Sequence, residues 1–164
     1  MPRKNKLSLT IQFPDPRLKG EITRYLLLRW VHAALLGPAQ FTIRFVDAVE
    51  GRRLNHEFRG KDYATNVLTF SYAEPGQSAE APAQADIVLC TDALKEEATQ
   101  QNKPLLAHAA HLVVHGVLHA QGYDHETDEE ADEMEELETE IMAELDLPDP
   151  YLEQKDAGRP STTA

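Results

Sequence analysis

Apolar and polar residues alternate from Leu7 to Phe13 with the two-residue period of a strand, and Pro14 and Pro16 end the run. From Leu18 to Leu36 the pattern changes: Ile22, Leu26, Trp30, Val31 and Leu35 recur at helical spacing until Gly37-Pro38. Phe41 to Val46 alternates again and predicts a second strand, followed by a short helix from Ala48 to Phe58 that Gly60 ends. The polar stretch GKDYATN (60–66) is turn-like, and VLTFSY (67–72) predicts a third strand. Residues 74–84, rich in Pro, Ala and Gly, read as a mobile surface loop, and DIVLC (86–90) is the short apolar run of a central strand. Thr91 stands where it can cap a helix beginning DALKEEA, and Pro104 falls in the first turn of a longer helix reaching Gln121. Thr127 and Glu130 form a capping-box pair that opens a last helix ending near Leu145. Beyond Pro148 the sequence predicts a disordered tail.

These elements amount to about four short strands and five or six helices. Helices separate most of the strands, so part of the pairing is expected to be parallel. A chain of 164 residues is long enough for one domain with its own core, expected over residues 1–148, with 149–164 as the tail. Its single cysteine, Cys90, can form no internal disulfide, and its place in ADIVLC suits a small buried core residue. No apolar run approaches the ~20 residues of a membrane span. The basic N-terminus enters a strand pattern without an apolar signal core, so a soluble cytoplasmic protein is expected.

Charge is unevenly spread. Residues 1–61 carry 12 Lys/Arg against 5 Asp/Glu, and residues 62–164 carry 4 against 23, so the net −12 is the difference between +7 and −19. An acidic total is a poor sign of nucleic-acid binding, but a basic half can still present a local positive face. Residues 124–146 hold 13 acidic residues and no Lys or Arg. Ala131, Met134, Leu137, Ile141 and Leu145 keep an apolar stripe through that run, which makes the acids a solvated outer helix face.

The chemistry is concentrated in HGVLHAQGYDH, residues 115–125. His115 and His119 are four apart and share one face of a helix. Gly122 can end that helix in a left-handed conformation, after which the chain doubles back and brings His125 to the same point. His111 is excluded from a site containing both, because it lies about 12 Å from His119 along the axis at ~1.5 Å per residue, whereas a zinc–nitrogen bond is ~2.1 Å. His111 therefore reads as a supporting or core residue, His108 as exposed, and Asp124 as either a turn residue or an acceptor for a ligand imidazole. Three histidines with no fourth protein ligand leave a coordination position open, the mark of a catalytic rather than a stapling zinc. The spacing is that of the metzincin proteases, but Gly116 stands where their catalytic glutamate would be, which weakens a peptidase reading.

A second stretch, LNHEFRGKDYATNVLTF (54–70), places Arg59 and Lys61 around a glycine ahead of a strand, with Arg44, Arg52 and Arg53 adding positive charge. A guanidinium fork suits phosphate, and a lysine adds a point charge. Taken with ADIVLC, with HLVVHGVLHAQGYDH and with a following helix carrying Met134 and Glu138, this stretch makes the chain resemble the YbeY family, bacterial metal-dependent endoribonucleases of ribosomal RNA maturation. The resemblance spans 54–145. It departs at Ala85, where glycine is usual, and at Tyr63-Ala64, where another residue and proline are usual.

The resemblance implies an α+β (mixed α/β) fold: a small, mostly parallel four-stranded sheet with one antiparallel edge strand, packed with five to six helices around a metzincin-like metal site. It implies His115, His119 and His125 as zinc ligands, one ion per chain, although nickel or another divalent metal also suits imidazoles. It implies Arg59 as the arginine of RNA cleavage, with Lys61, Asp62, Thr65 and Asn66 in the stretch beside it and His111 at a recurring position. The expected activity is single-strand-specific cleavage of RNA in 3′-end maturation of 16S ribosomal RNA and in ribosome quality control. The expected partners are ribosomal RNA and the small subunit, with ribosomal proteins or assembly GTPases, and neither membrane nor DNA. Two rival readings stand beside it: a metal-dependent hydrolase of peptide-like substrates, and a ribosome-assembly binding factor whose metal is structural.

Overall fold

The computed structural model describes residues 6–72 and 81–151. Its strands are β1 (Leu7–Gln12), β2 (Ala39–Val46), β3 (Val67–Ser71) and β4 (Ala83–Cys90). Its helices are α1 (Arg24–Ala34), α2 (Ala48–Arg59), α3 (Thr91–Gln100), α4 (Leu105–Ala120) and α5 (Asp128–Glu144), with a 3-10 turn at Pro16–Leu18. The four strands form one sheet in the order β1-β2-β4-β3. β1 is parallel to β2 and β2 to β4, while β3 runs antiparallel along the β4 edge. The fold is the mixed α/β arrangement expected, with the antiparallel strand at an edge.

β2 and β4 are the inner strands, and alternation sets their faces. Phe41, Ile43, Phe45, Ile87 and Leu89 are all buried in the main core cluster with the apolar sides of α1 and α4. Arg44 and Thr42 take the alternate positions in β2. On that second face a smaller cluster of Val46, Leu68 and Val88 is covered by Leu54 and Phe70. α4 is the central helix: 11 of its residues are buried, so it is apolar nearly all round rather than amphipathic, as a helix enclosed by other elements must be.

Several boundaries differ from the pattern reading. The helix expected from Leu18 begins at Arg24, because the Thr23 hydroxyl caps it by accepting the Leu26 N–H at 3.2 Å. Leu18 and Ile22 are nevertheless buried, in the turns that precede it. β4 starts at Ala83 rather than Asp86, since Ala83 pairs in register with Ala39 of β2. Thr91 does not cap α3; it is the first helical residue, because β4 passes straight into the helix. The loop predicted at 74–84 lies outside the described residues as far as 80, and the predicted tail does so from 152. Residues 149–151 do not conform to a disordered tail: Pro150 is buried and Tyr151 half-buried. Cys90 is 2% exposed, and burial pushes its thiol up.

Gly116 sets the distance between α4 and the sheet. A Cβ built there would lie 2.8 Å from Ile87 Cγ2 and 3.4 Å from Thr69 Oγ1. The β-branched Ile87 has little rotamer freedom with which to yield. Overpacking of this kind costs about 1–3 kcal/mol, against ~1 kcal/mol of helix propensity gained on leaving glycine. Gly116→Ala is expected to lower stability by up to about 2 kcal/mol net in denaturant unfolding, and Gly116→Glu by more, because it also buries a carboxylate. An alanine variant as stable as wild type would show that the contact is not tight.

Candidate metal centre

The sequence builds the centre from the C-terminal half of α4 and the turn that follows. α4 ends in paired bonds from Gly122 N–H to the His119 carbonyl (3.0 Å) and from Tyr123 N–H to the Leu118 carbonyl (3.1 Å). Gly122 supplies the φ of +106° that this ending needs. Asp124 Oδ1 then accepts the His125 backbone N–H at 2.8 Å, which fixes the turn that carries His125 back over α4. Ligand nitrogens of His115, His119 and His125 lie within 4.8 Å of one another. The ring centroids are 4.6 Å apart for His115 and His119, 4.8 Å for His119 and His125, and 5.6 Å for His115 and His125.

Beneath the triad lies a residue whose role the pattern reading did not assign. Glu138 of α5 is 0% exposed. Its Oε2 accepts from His115 Nδ1 at 2.8 Å and its Oε1 from His111 Nε2 at 2.6 Å. A carboxylate can only accept, so the His115 proton sits on Nδ1 and its Nε2 lone pair is the one left for a metal. Burial alone would raise the Glu138 carboxyl, but the hydrogen bonds and charge of His111 and His115 outweigh it and bring it down to about 2. Burial, with the nearby imidazoles of His115 and His125, pushes His119 down to about 4, so its ring is neutral near pH 7, the form that binds metals. Three imidazoles, one of them oriented by a carboxylate, are a donor set that fits one borderline metal ion.

The triad opens onto a cleft of about 530 Å³. One wall is the β3 edge, through Val67, Thr69 and Ser71, with Thr65 and Asn66 ahead of it; Asp124 and Glu126 line it from the turn after α4. Arg59, at the end of α2, also lines the cleft, and its guanidinium donates to the Thr69 carbonyl at 3.3 Å. The structure thus brings Arg59 and all three histidines to one cavity. Lys61 is exposed and lies outside the cleft lining. Asp124 reaches the cleft wall, and its described bond is to the backbone of His125 rather than to an imidazole.

Three expectations change. His108 is buried, not exposed: its Nε2 bonds Glu97 at 2.8 Å, and Glu97 also accepts from Asn66 Nδ2 at 3.1 Å. Burial alone would raise Glu97, but His108 and Asn66 hold it below the usual carboxylate range. Glu97 therefore ties the cleft residue Asn66 to α4. The positive charge of Arg44, Arg52 and Arg53 is largely answered: Arg44 pairs with Glu50 (3.0 Å), Arg52 with Asp62 (2.8 Å) and Arg53 with Glu57 (3.2 Å). Glu138 is buried, an exception to the solvated outer face expected of the acids, and the sequence carries one sign of it. It stands four residues after Met134 and three before Ile141, an acid on the apolar stripe.

The two shifted groups work in the same direction in metal-free protein. His119 titrates near 6.5 when unfolded and near 4 when folded, so the unfolded chain binds more protons as pH falls through that window and stability is lost. Glu138 is depressed from 4.5 to about 2, so its contribution is present above 4.5 and lost as pH falls toward 2. Denaturant unfolding of chelated protein, followed by Trp30 fluorescence, is expected to show stability falling from pH 7 to 4, with the slope reduced in His119→Gln. A flat profile over that range would contradict the assigned shift.

A family model described as Endoribonuclease YbeY matches residues 6–146. The Endoribonuclease YbeY of Herminiimonas arsenicoxydans is 62% identical over 154 residues, covering 92% of this chain and 99% of that protein. That of Janthinobacterium sp. (strain Marseille) is 64% identical over 152 residues, covering 93% and 99%. The solution structure of TM1509 from Thermotoga maritima superposes with a TM-score of 0.51 at 25% identity, covering 84% of this chain and 91% of that one.

Proposed function

The chain belongs to the YbeY endoribonuclease family, and from that premise we propose that it is a single-domain, zinc-dependent endoribonuclease that cuts single-stranded RNA in 3′-end maturation of 16S ribosomal RNA. The observation that carries this reading is the meeting of Arg59 with the His115–His119–His125 triad in one cleft. Three histidines suit zinc, with nickel as the alternative. When bound, the ion supplies a Lewis acid that polarises a phosphate oxygen and lowers the pKa of water to ~7.

The chain's own groups do the rest. Arg59 presents a guanidinium fork to the scissile phosphate and stabilises the charge that grows on its oxygens. The bond to the Thr69 carbonyl holds that fork at the cleft wall. Thr65, Asn66, Thr69 and Ser71 offer short polar side chains to ribose and phosphate along the β3 edge, and Lys61 extends the positive rim. Asp124 and Glu126, which line the same cleft, repel a second phosphate and so disfavour the paired backbones of a duplex. Glu138 keeps His115 in one tautomer throughout.

A peptide substrate is less well served. Position 116, where a metzincin-type base would stand, is sealed against Ile87. The Thr69 carbonyl, an edge acceptor that an added peptide strand could use, is engaged by Arg59. The ribosome-bound surroundings, a cytoplasmic setting and contacts with ribosomal proteins or assembly GTPases belong to the same proposal.

The test is cleavage of a single-stranded ribosomal RNA oligonucleotide by purified wild type, with His115→Ala prepared identically to expose any contaminating ribonuclease. Chelation and His115→Ala are expected to abolish cleavage, and Arg59→Ala to lower kcat by about 10²–10³ with metal content unchanged. Cleavage that survives chelation, or a wild-type rate in Arg59→Ala, would sink the mechanism. Loss of thermal stability on chelation with an unchanged rate would instead favour a structural metal.

A further inference from the structure

The chain after α5 turns back onto the metal centre. Asp146 takes a φ of +60°, and Leu147 N–H returns to the Met142 carbonyl at 2.9 Å. Lys103, between α3 and α4, donates from its ammonium to the Pro150 carbonyl at 2.7 Å. Tyr151 N–H bonds Asp149 Oδ1 at 2.8 Å. So anchored, the Tyr151 ring stands edge-on to His111, with centroids 5.2 Å apart and planes at 84°. Its hydroxyl lies 3.2 Å from His111 Nε2 and bonds Glu138 Oε1. Tyr151 lies beyond residue 146, where the family match ends.

The donor count gives this contact its meaning. Glu138 can only accept, so the phenol O–H must donate to it. Oε1 then receives two donors, Tyr151 and His111, while Oε2 receives one, His115 Nδ1. Two donors on one oxygen fix the rotation of the carboxylate, and that rotation decides where the other oxygen meets His115. A tyrosine kept for packing alone would not need its hydroxyl in this place.

We propose that Tyr151 is a positioning residue for the metal centre: its hydroxyl locks the Glu138 carboxylate, which in turn holds the His115 ring with Nε2 presented to the ion. The C-terminal segment is thereby part of the site rather than a trailing end. The inference rests on reading the histidine triad as a metal site.

The experiment measures Zn²⁺ affinity of the full chain by competition with a chromophoric chelator, together with the visible absorption of the Co²⁺-loaded protein, for wild type, Tyr151→Phe, Glu138→Gln and the double variant. Loss of a direct partner to a ligand costs about 10–100-fold in metal affinity, and Tyr151 acts one bond further out, so Tyr151→Phe is expected to cost about 3–10-fold and to shift the Co²⁺ bands. Because it acts through Glu138, the same change made in Glu138→Gln is expected to cost nothing further. Wild-type affinity and spectrum in Tyr151→Phe would overturn the proposal, as would an equal loss in both backgrounds, which a general loosening of the fold would give. Wild type that takes up no stoichiometric metal would overturn the metal reading itself, a result visible before any variant is compared.

Discussion

The geometry of the centre depends on one buried carboxylate. Taking Glu138 out of water is expensive, and it is tolerable only because His111, His115 and Tyr151 all donate to it. The dependence runs both ways: the acceptor-only carboxylate dictates which nitrogen of each histidine carries the proton. Removing one side of such a buried arrangement leaves an uncompensated group, typically worth about 3–5 kcal/mol. The ligand geometry on α4 is therefore inseparable from the docking of α5. That docking is driven by ordinary apolar burial, with Met134, Ile141 and Met142 all at 5% exposure or less around Glu138. Packing energy from an amphipathic helix is converted into orientation of a metal ligand.

The charge distribution is explained by the same helix. Its inward stripe carries Glu138, while Glu129, Glu130, Asp132, Glu133, Glu135 and Glu136 face solvent. The net −12 is thus mostly an outer surface, and what a phosphate meets in the cleft is a local field. Ion pairs on and near α2 answer the charge of Arg44, Arg52 and Arg53, while Arg59 stands at the cleft wall. Association with a polyanion here depends on a few placed charges rather than on a broad basic face.

Much of this was legible in the sequence because it is periodic or local. Alternation identified β1 and β2, the short apolar run DIVLC identified β4, the capping box at Thr127 and Glu130 formed as expected, and the eleven residues from His115 to His125 encode their own convergence through a helix, a left-handed glycine and a turn. What was missed is long-range. Nothing near His108 announces that Glu97 waits 11 residues away to bury it. Among 13 acids, Glu138 differs only in standing on the apolar stripe, and its partners are 23 and 27 residues distant. The start of β4 at Ala83 is likewise set by its partner Ala39 and not by its own residues. Tyr151 falls in a stretch whose composition reads as tail, yet its place is fixed by Glu138 of α5 and, through Pro150, by Lys103 in the loop between α3 and α4.

Gly116 shows how a single small residue joins fold to chemistry. With no side chain there, α4 lies close enough to the sheet for Val67 and Thr69 of β3 to stand at the rim of the histidine site. A larger residue would push the helix away and separate the metal ligands from the strand edge and from Arg59, which is fastened to that edge through Thr69. The same absence removes the position from which a metzincin-type glutamate would act. The glycine that lets α4 close on the strand at the cleft wall is thus the one that denies the centre a protein base at that position, and in the proposed mechanism charge stabilisation at the reacting phosphate falls to Arg59 and to the ion that the three histidines would hold.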